Sequence, residues 1–316
     1  MISVPTPLNK TTVVNRSAVS YDIMFDYLLF TLALCSTASL VGNTLVIMVI
    51  RRCKRLQNTH NYFLVNMAVS DIFIPAIQLL RVMLFERKDV GYISYLLGAC
   101  LCKFVMFVSY ISVGVSLLSL VVVTVDRFYA VIYPTNKTFK KKRVYRFLLF
   151  CTWFIPGVVF APRLYFAAFN PSSNRCRNTM SSKDRTIYNI FIFVVFTVVP
   201  FLVMLVLYSK IIRTLVLKQN SFSCHNRSSQ AIEKRRNNIR LTKMFLTLIF
   251  LYFFTWLIYR ISGFVAVYSK NTDKITMRKL RYAVSTFPSI FHAINPIIYF
   301  LFCPSFRKEL RIMFVC

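Results

Sequence analysis

Seven long apolar stretches alternate with shorter polar segments along the chain. Each stretch can form a helix of about 20 residues, the length needed to cross roughly 30 Å of bilayer hydrocarbon. The pattern predicts an all-α membrane protein, a seven-transmembrane helix bundle over residues 26–302 that follows an N-terminal segment, 1–25. The predicted spans are residues 26–50, 61–85, 98–126, 147–169, 188–212, 241–268 and 282–302.

The last segment, 303–316, combines apolar and basic positions at helical spacing. Its apolar positions recur every four residues on one face, and its basic residues lie elsewhere. This pattern is typical of an amphipathic helix in the membrane interface, so we predict a short eighth helix and tail. The apolar residues are Phe306, Leu310 and Phe314, and the basic ones are Arg307, Lys308 and Arg311. Palmitoylation of Cys303 or Cys316 is not decided by the sequence.

The composition supports a membrane location and argues against a nucleotide-dependent enzyme. Hydrophobic residues make up 57% of the chain and charged residues 16%, whereas soluble proteins carry about a quarter charged residues. No glycine-rich phosphate-binding pattern occurs among the six glycines. The nine cysteines lack metal-ligand spacing, so no zinc site is expected. We predict that the protein is not an enzyme.

The basic residues indicate how the chain is oriented in the membrane. Of its 40 lysines and arginines, 23 fall in segments 51–60, 127–146, 209–243 and 303–316, all on one side of a seven-span chain. Basic residues concentrate on the cytoplasmic side of membrane helices. Orientation explains the net charge of +30 better than nucleic-acid binding does, so no nucleic-acid partner is expected. The N-terminus is then extracellular, and the protein is a multi-pass protein of the plasma membrane.

Two features of the extracellular side follow from this orientation. Asn9 and Asn15 begin N-x-S/T sequons in the N-terminal segment and are predicted glycosylation sites. Cys102 opens span three, and Cys176 lies in the outer loop between spans four and five. Both face an oxidising compartment, where a disulfide between them would tie the loop to the helix. Cys100 is a competing partner that the spacing does not exclude.

Short motifs recur in order along the spans: GNTLVI in span one, NMAVSD in span two, TVDRFYAVIYP at the end of span three and NPIIYF in span seven. Together they resemble the rhodopsin-like, or class A, G-protein-coupled receptors. Each motif is weak alone, but their order and spacing through seven helices are specific. The resemblance implies a receptor that is activated by an extracellular ligand and promotes nucleotide exchange on a heterotrimeric G protein. The motif residues are Asn43, Asp71, Cys102, Asp126, Arg127, Trp153, Pro200, Tyr208, Trp256, Asn295, Pro296 and Tyr299.

The resemblance assigns a conformational switch and G-protein coupling to one set of these residues. Asp126 would hold Arg127 at rest and release it on activation; an interfacial ion pair that never switches is the alternative. The span-six position that sometimes offers Arg127 a carboxylate is Asn238, and the usual span-six proline is Ile258. Because the carboxylate is absent, we expect some ligand-free activity. The other switch residues are Tyr208, Trp256, Asn295, Pro296 and Tyr299.

A polar site around Asp71 is also implied by the resemblance. In the family, such an aspartate joins a span-one asparagine, a span-three serine and a span-seven asparagine around sodium and water. Here these are Asn43, Ser116 and Asn295, but His292 replaces a small polar residue. His292 would either pair with Asp71, which disfavours sodium and makes the switch pH-sensitive, or stay neutral between helices. Sodium is the only cofactor considered, and the sequence leaves it open.

Arg260 is the one charge in the apolar stretch 251–267 and suggests what the ligand is. It follows Trp256 by four residues, so both project from one helical face, into the bundle if Trp256 does. With Arg81 at comparable depth, it would anchor an anionic group such as a carboxylate. Alternatively, Arg260 extends to the membrane surface or pairs with Glu86.

The pocket also excludes two ligand classes. Ser109 stands where amine receptors carry an aspartate, and Ser289 stands where opsins carry the retinal-binding lysine. The chain is thus identified as an orphan-type member of the family, neither an opsin nor a typical amine receptor. A peptide, a lipid acid and a small carboxylate all remain candidate ligands.

The cytoplasmic side suggests further partners. Loop 209–240 is basic, which favours anionic membrane lipids as well as a G protein. Arrestin recruitment would use this third inner loop, whose serines are Ser221, Ser223, Ser228 and Ser229. The alternative function is a constitutively active or non-signalling seven-helix protein, acting as a decoy or partner subunit. A transporter is disfavoured because no inverted repeat is evident.

Overall fold

The computed structural model describes residues 10–85, 93–135, 141–220, 229–268 and 274–315. Within this part of the chain, seven helices are long and apolar enough to cross a membrane, which confirms the predicted seven-helix bundle. We call them spans one to seven. They are Ile23–Arg52, Asn61–Phe85, Tyr95–Ile132, Lys142–Phe166, Ser182–Leu217, Ile232–Val265 and Ala283–Phe302.

The complete helices extend beyond several of these spans. Span six continues a helix that begins at Ser229, because Glu, Lys and Arg in its polar first turns are good helix formers. Span five contains a π-helical turn, Val194–Val198, just before Pro200. The helices are Lys10–Arg52, Thr59–Phe85, Tyr95–Ile132, Lys142–Phe160, Pro162–Phe166, Ser182–Phe193, Val199–Asn220, Ser229–Tyr268, Lys274–Phe302 and Pro304–Val315, and a 3₁₀ turn covers Lys54–Leu56.

Span four ends differently from its predicted limits. The predicted helix over residues 147–169 stops at Phe160, and a short helix, Pro162–Phe166, follows it. Pro162 has no backbone N–H with which to continue the hydrogen-bond ladder, which accounts for the break. The remaining residues of the predicted span belong to a strand.

A two-stranded antiparallel hairpin covers one end of the bundle. Its strands are β1, Ala167–Asn170, and β2, Arg175–Asn178, with Phe169 opposite Cys176. Asn174 provides the turn in a left-handed conformation, with φ of 48°, which asparagine tolerates well. Cys176 forms a disulfide with Cys102, while the competing Cys100 is free and exposed. The hairpin is therefore tied to span three at what we call the disulfide end.

Close packing and polar contacts hold the spans together. Gly114 of span three faces Pro156 of span four so closely that a Cβ there would lie 2.6 Å from the proline ring. Asn66 of span two accepts a hydrogen bond from Trp153 Nε1 and donates to Ser119 Oγ, at 2.8 Å each. Spans two, three and four are thus connected deep in the bundle. Large apolar side chains such as Phe150 and Phe154 face outward, as a lipid environment requires.

The chain after span seven forms the predicted eighth helix, Pro304–Val315. Phe306 is buried and packs 6.1 Å from the Phe300 ring, measured between ring centroids. Cys303, just before the helix, is also buried, and its Sγ lies 3.5 Å from Met244 Sδ of span six. Burial raises the pKa of the Cys303 thiol to about 11. The second palmitoylation candidate, Cys316, lies outside the described residues.

Candidate functional site

Asp71 lies at the centre of a fully buried polar cluster. Its Oδ1 accepts a hydrogen bond from Ser116 Oγ at 2.7 Å and lies 2.8 Å from His292 Nδ1. Its Oδ2 accepts a hydrogen bond from Asn295 Nδ2 at 2.7 Å. Asp71, His292 and Asn295 have no exposed surface. The structure therefore brings together residues of spans two, three and seven that the sequence placed at one site.

Asn43 of span one completes the cluster from a different side. Its Nδ2 donates to the Ser39 carbonyl at 3.0 Å and to the His292 carbonyl at 3.4 Å. Ser39 Oγ in turn donates to the Asp71 backbone carbonyl at 2.8 Å. Three atoms of the cluster have no hydrogen-bond partner among the described residues: Asn43 Oδ1, Asn295 Oδ1 and His292 Nε2.

At the opposite end of the bundle, which we call the Arg127 end, Asp126 and Arg127 form an ion pair. Arg127 Nη2 lies 2.6 Å from Asp126 Oδ2, and the Asp126 side chain is mostly buried. Both residues belong to span three, so this pair does not itself join two helices. On span six, Asn238 is half-buried, and Glu233 is exposed.

The remaining residues assigned to the switch, Tyr208, Trp256, Asn295, Pro296 and Tyr299, are all buried. Tyr208 and Tyr299 are almost fully buried, and the Tyr299 hydroxyl contacts Met67 Sδ at 3.6 Å. Pro296 packs against span one at Gly42, where an added Cβ would lie 2.9 Å from the proline ring. Their roles in switching stay predictions, but all of them occupy the bundle interior.

Arg260 turns toward Trp256 inside the bundle. Its Cζ lies 5.7 Å from the centre of the Trp256 ring, and Trp256 is buried. Arg260 Nε is buried without a hydrogen-bond partner, and Arg260 forms no ion pair with a described residue. Glu86, the alternative partner considered from the sequence, lies outside the described residues.

Arg163 was not among the pocket residues predicted from the sequence, but it is a buried arginine of the short helix Pro162–Phe166. Arg163 is only 7% exposed. Its Cζ lies 4.3 Å from the Tyr110 ring centre and 5.0 Å from that of Tyr188. Its Nη2 donates to Asn189 Oδ1 at 3.0 Å, while its Nε has no partner among the described residues. A single arginine within an apolar stretch, the signal that identified Arg260, would have identified Arg163 as well.

Arg163 belongs to the short helix that precedes the hairpin, and Arg260 belongs to span six. No carboxylate forms an ion pair with either arginine in the described part of the chain. Two positive charges at the disulfide half of the bundle are therefore left without an acidic counterpart from the described residues.

The other predicted pocket residues lie on spans two, three and seven. Ser109 donates to the Val105 carbonyl of its own helix at 2.7 Å, and Ser289 is buried. Arg81 is half-buried in span two. The predicted glycosylation acceptors, Asn9 and Asn15, lie outside the part of the chain whose side chains are described.

A row of aromatic rings connects Arg260 with Asp71. The Trp256 and Tyr252 ring centres are 6.0 Å apart, those of Tyr252 and Phe291 are 5.6 Å apart, and those of Phe291 and His292 are 4.9 Å apart. We call Trp256, Tyr252 and Phe291 the aromatic row. The contact between Phe291 and Tyr252 depends on how spans six and seven face each other, which the sequence does not determine.

The sequence model of the 7 transmembrane receptor (rhodopsin family) matches residues 42–299, most of the chain. The chain belongs to this family. The receptor's relatives are receptors rather than enzymes, and the family implies an extracellular ligand and a G-protein partner. With seven spans, the receptor fits a multi-pass protein of the plasma membrane.

Individual relatives of the receptor include peptide receptors. Probable G-protein coupled receptor 19 of Rattus norvegicus is 26% identical over 86% of this chain and 64% of its own length. The pyroglutamylated RF-amide peptide receptor of Mus musculus is 29% identical over 88% of this chain and 67% of its own length. The thyrotropin-releasing hormone receptor of Ovis aries is 25% identical over 98% of this chain and 83% of its own length. The chain thus spans less than two thirds of the first relative.

Proposed function

We propose that this receptor binds an extracellular peptide carrying an anionic group and then promotes nucleotide exchange on a heterotrimeric G protein. The observation that carries the proposal is the pair of guanidinium groups, Arg163 and Arg260, without an acidic partner among the described residues. In this proposal, the N-terminus and the disulfide end are extracellular, and the Arg127 end faces the cytoplasm, because most basic residues lie on that side.

An anionic ligand is favoured by the cost of an uncompensated buried charge. Removing a guanidinium from water costs several kcal/mol unless a counter-charge and hydrogen bonds offset it. Arg163 receives one hydrogen-bonding partner and two aromatic faces, which compensate the charge only in part. A ligand carboxylate would complete it, with the bidentate geometry that arginine offers.

A peptide is favoured over a lipid acid and a small carboxylate by the relatives, among which the pyroglutamylated RF-amide peptide receptor is named for a peptide. The RF-amide receptor is named for a peptide class with an amide group. An amidated terminus carries no carboxylate, so we expect this receptor to differ from that relative and to prefer a free terminal carboxylate or an acidic side chain.

The contacts also support a route from the ligand to the G-protein side. A carboxylate that draws Arg260 away from Trp256 would disturb the aromatic row and, through Phe291 and His292, the cluster at Asp71. Such a chain of packed residues transmits a change only if it has two alternative arrangements. Release of Arg127 from Asp126 is the proposed last step.

The proposal is tested by G-protein activation in cells expressing wild type, Arg260→Gln and Arg163→Gln. The ligands are peptide pairs that differ only in having a free or an amidated C-terminus. We expect an agonist with a free carboxylate whose potency falls at least about tenfold, or about 1.4 kcal/mol, in either variant. Its amidated partner should be weak on wild type and unaffected by the substitutions.

Arg177→Gln is the control, since Arg177 is exposed on β2 at the same end of the bundle. Equal losses in all three variants would indicate a general effect of charge rather than an anchor. An agonist that ignores both Arg163→Gln and Arg260→Gln at matched surface expression would refute the anionic anchor, while leaving the receptor function in place.

Two further partners belong to the proposal. Anionic lipids of the inner leaflet would contact exposed basic residues at the Arg127 end, such as Arg213 and Arg236. Arrestin would be recruited through phosphorylated serines of the third inner loop, of which only Ser229 is among the described residues. Normal arrestin recruitment by a receptor lacking Ser221, Ser223, Ser228 and Ser229 would refute this second partner.

A further inference from the structure

We infer that His292 takes the position of a sodium ion at Asp71, so that this receptor does not bind sodium there. The family resemblance implies sodium among Asp71, Asn43, Ser116 and Asn295, but the side chains around Asp71 do not fit a cation. The inference concerns the interior of the bundle, and its test needs no agonist. It therefore stands or fails independently of the proposed ligand.

The carboxylate of Asp71 is already occupied by three partners. Ser116 Oγ and His292 Nδ1 both lie within 2.8 Å of Oδ1, and Asn295 Nδ2 lies 2.7 Å from Oδ2. Hard cations bind through oxygen atoms, and a carboxylate is the ligand that neutralises their charge. Since Oδ1 has two lone pairs and both are used, a cation could bind this oxygen only by displacing the serine hydroxyl or the imidazole.

The imidazole itself excludes a cation. At 2.8 Å from a carboxylate oxygen, a proton lies between Nδ1 and Oδ1. The imidazole face of the Asp71 site therefore presents a hydrogen-bond donor, where a sodium site requires oxygen lone pairs. His292 is fully buried and packs against Phe291, with the ring centres 4.9 Å apart, so it has little room to move aside.

Two buried amide oxygens near Asp71 argue for a bound cation. Asn43 Oδ1 and Asn295 Oδ1 are buried without hydrogen-bond partners among the described residues and would suit a cation. His292 Nε2 is in the same situation. With Nδ1 as the donor to Asp71, Nε2 of the neutral imidazole carries a lone pair. Neutral water can donate hydrogen bonds to Nε2 and to both amide oxygens, so water satisfies all three atoms. Both oxygens are therefore compatible with water in the absence of an ion.

Aromatic rings of spans six and seven pack between Arg260 and His292. The aromatic row of Trp256, Tyr252 and Phe291 forms a continuous buried series between Arg260 and His292. The Asp71 site is therefore bordered by packed side chains on the side of spans six and seven.

The inference is tested by thermal unfolding of the purified full-length receptor in NaCl, KCl or choline chloride at about 150 mM. Wild type should unfold at the same temperature, within about 1 °C, in all three salts. His292→Ser removes the ring and leaves space beside Asp71. We expect this variant to gain at least about 3 °C in NaCl over KCl, because a ligand bound only to the folded state raises its stability.

A second substitution tests whether the rise in unfolding temperature in NaCl depends on the Asp71 carboxylate. Asp71→Asn in the His292→Ser background should abolish the difference between NaCl and KCl. If His292→Ser does not fold, His292→Asn and the wild-type salt series replace it. Sodium-specific stabilisation of the wild type would overturn the inference. So would a folded His292 variant that shows no response to sodium.

Discussion

Asp71 and Arg163 are both enclosed by the bundle, but their charges meet different surroundings. Asp71 is satisfied by donors from two other spans, whereas Arg163 has one amide oxygen and two tyrosine faces. A charge that is matched internally stabilises one arrangement of helices. A charge that the protein compensates only in part favours binding of a ligand with the opposite charge. At the residue scale, this contrast separates the internal site at Asp71 from the proposed ligand site at Arg163.

Cys303 offers a prediction at the same scale. Its thiol is buried beside Met244, and burial raises its pKa from 9.0 to about 11. Since the thiolate is the reactive form, its population near neutral pH is about a hundredfold lower than for an ordinary thiol, and it grows about tenfold per pH unit toward pH 11. We expect N-ethylmaleimide near pH 7.5 to modify the half-buried Cys53 and to leave Cys303 unmodified.

Peptide mass spectrometry of the alkylated receptor checks this, with denatured receptor as the control in which both cysteines react. Labelling of Cys303 in the folded receptor at the rate of Cys53 would contradict the prediction. The same enclosure argues against palmitoylation of Cys303 in this conformation, since acylation also needs an accessible thiolate.

At the scale of elements, the contact between spans three and four depends on a glycine. A Cβ at Gly114 would lie 2.6 Å and 2.8 Å from two ring carbons of Pro156, a rigid residue. We expect Gly114→Ala to separate the two helices and to lower stability by about 1–3 kcal/mol, as overpacking does. Thermal unfolding of the purified receptor should then shift down by several degrees.

Gly157 provides the matched control, because no heavy atom lies within 4 Å of a Cβ placed there. Gly157→Ala in span four should leave the unfolding temperature unchanged or raise it slightly, since alanine favours helix. If both alanine variants shift the unfolding temperature equally, the close approach of Gly114 and Pro156 does not limit stability.

The elements also show what hydrophobic patterning predicts and what it misses. Seven spans follow from apolar length, because a bilayer requires it. The hairpin formed by β1 and β2 did not follow, since its four-residue strands depend on the disulfide, on the turn at Asn174 and on packing of Phe169 against span three. Residues 167–169 were assigned to span four because their apolar character is the same in a helix or a strand.

For the whole molecule, motif order predicted which spans come together but not all of their contacts. Asp71, Ser116 and Asn295 meet, because family spacing fixes the depth of each residue in its helix. Arg163 was not predicted as a pocket residue, since its burial depends on Tyr110 of span three and Tyr188 of span five. The rotation of each helix about its axis decides such contacts, and one sequence does not determine it.

The balance between resting and active states is a property of the whole bundle, and it gives the last prediction. Arg127 pairs with Asp126 within span three, and the span-six helix carries only one acid, Glu233, which is exposed. Asn238 is half-buried at the same end, where some family members carry a carboxylate that holds the arginine. Without that link between spans three and six, we expect measurable nucleotide exchange in the absence of ligand.

Asn238→Glu should supply the link and lower this basal exchange roughly tenfold, since a charged hydrogen bond of about 1.5 kcal/mol shifts a two-state equilibrium by that factor. Asn237→Glu adds the same charge to the same helix at an exposed position, so it should leave basal exchange near the wild-type value. Agonist-free exchange on a purified G protein, at matched receptor amounts, measures both. Equal inhibition by the two variants would mean that added charge, and not a link to Arg127, controls the equilibrium. A wild type as silent as Asn238→Glu would mean that the resting state is already held by other contacts.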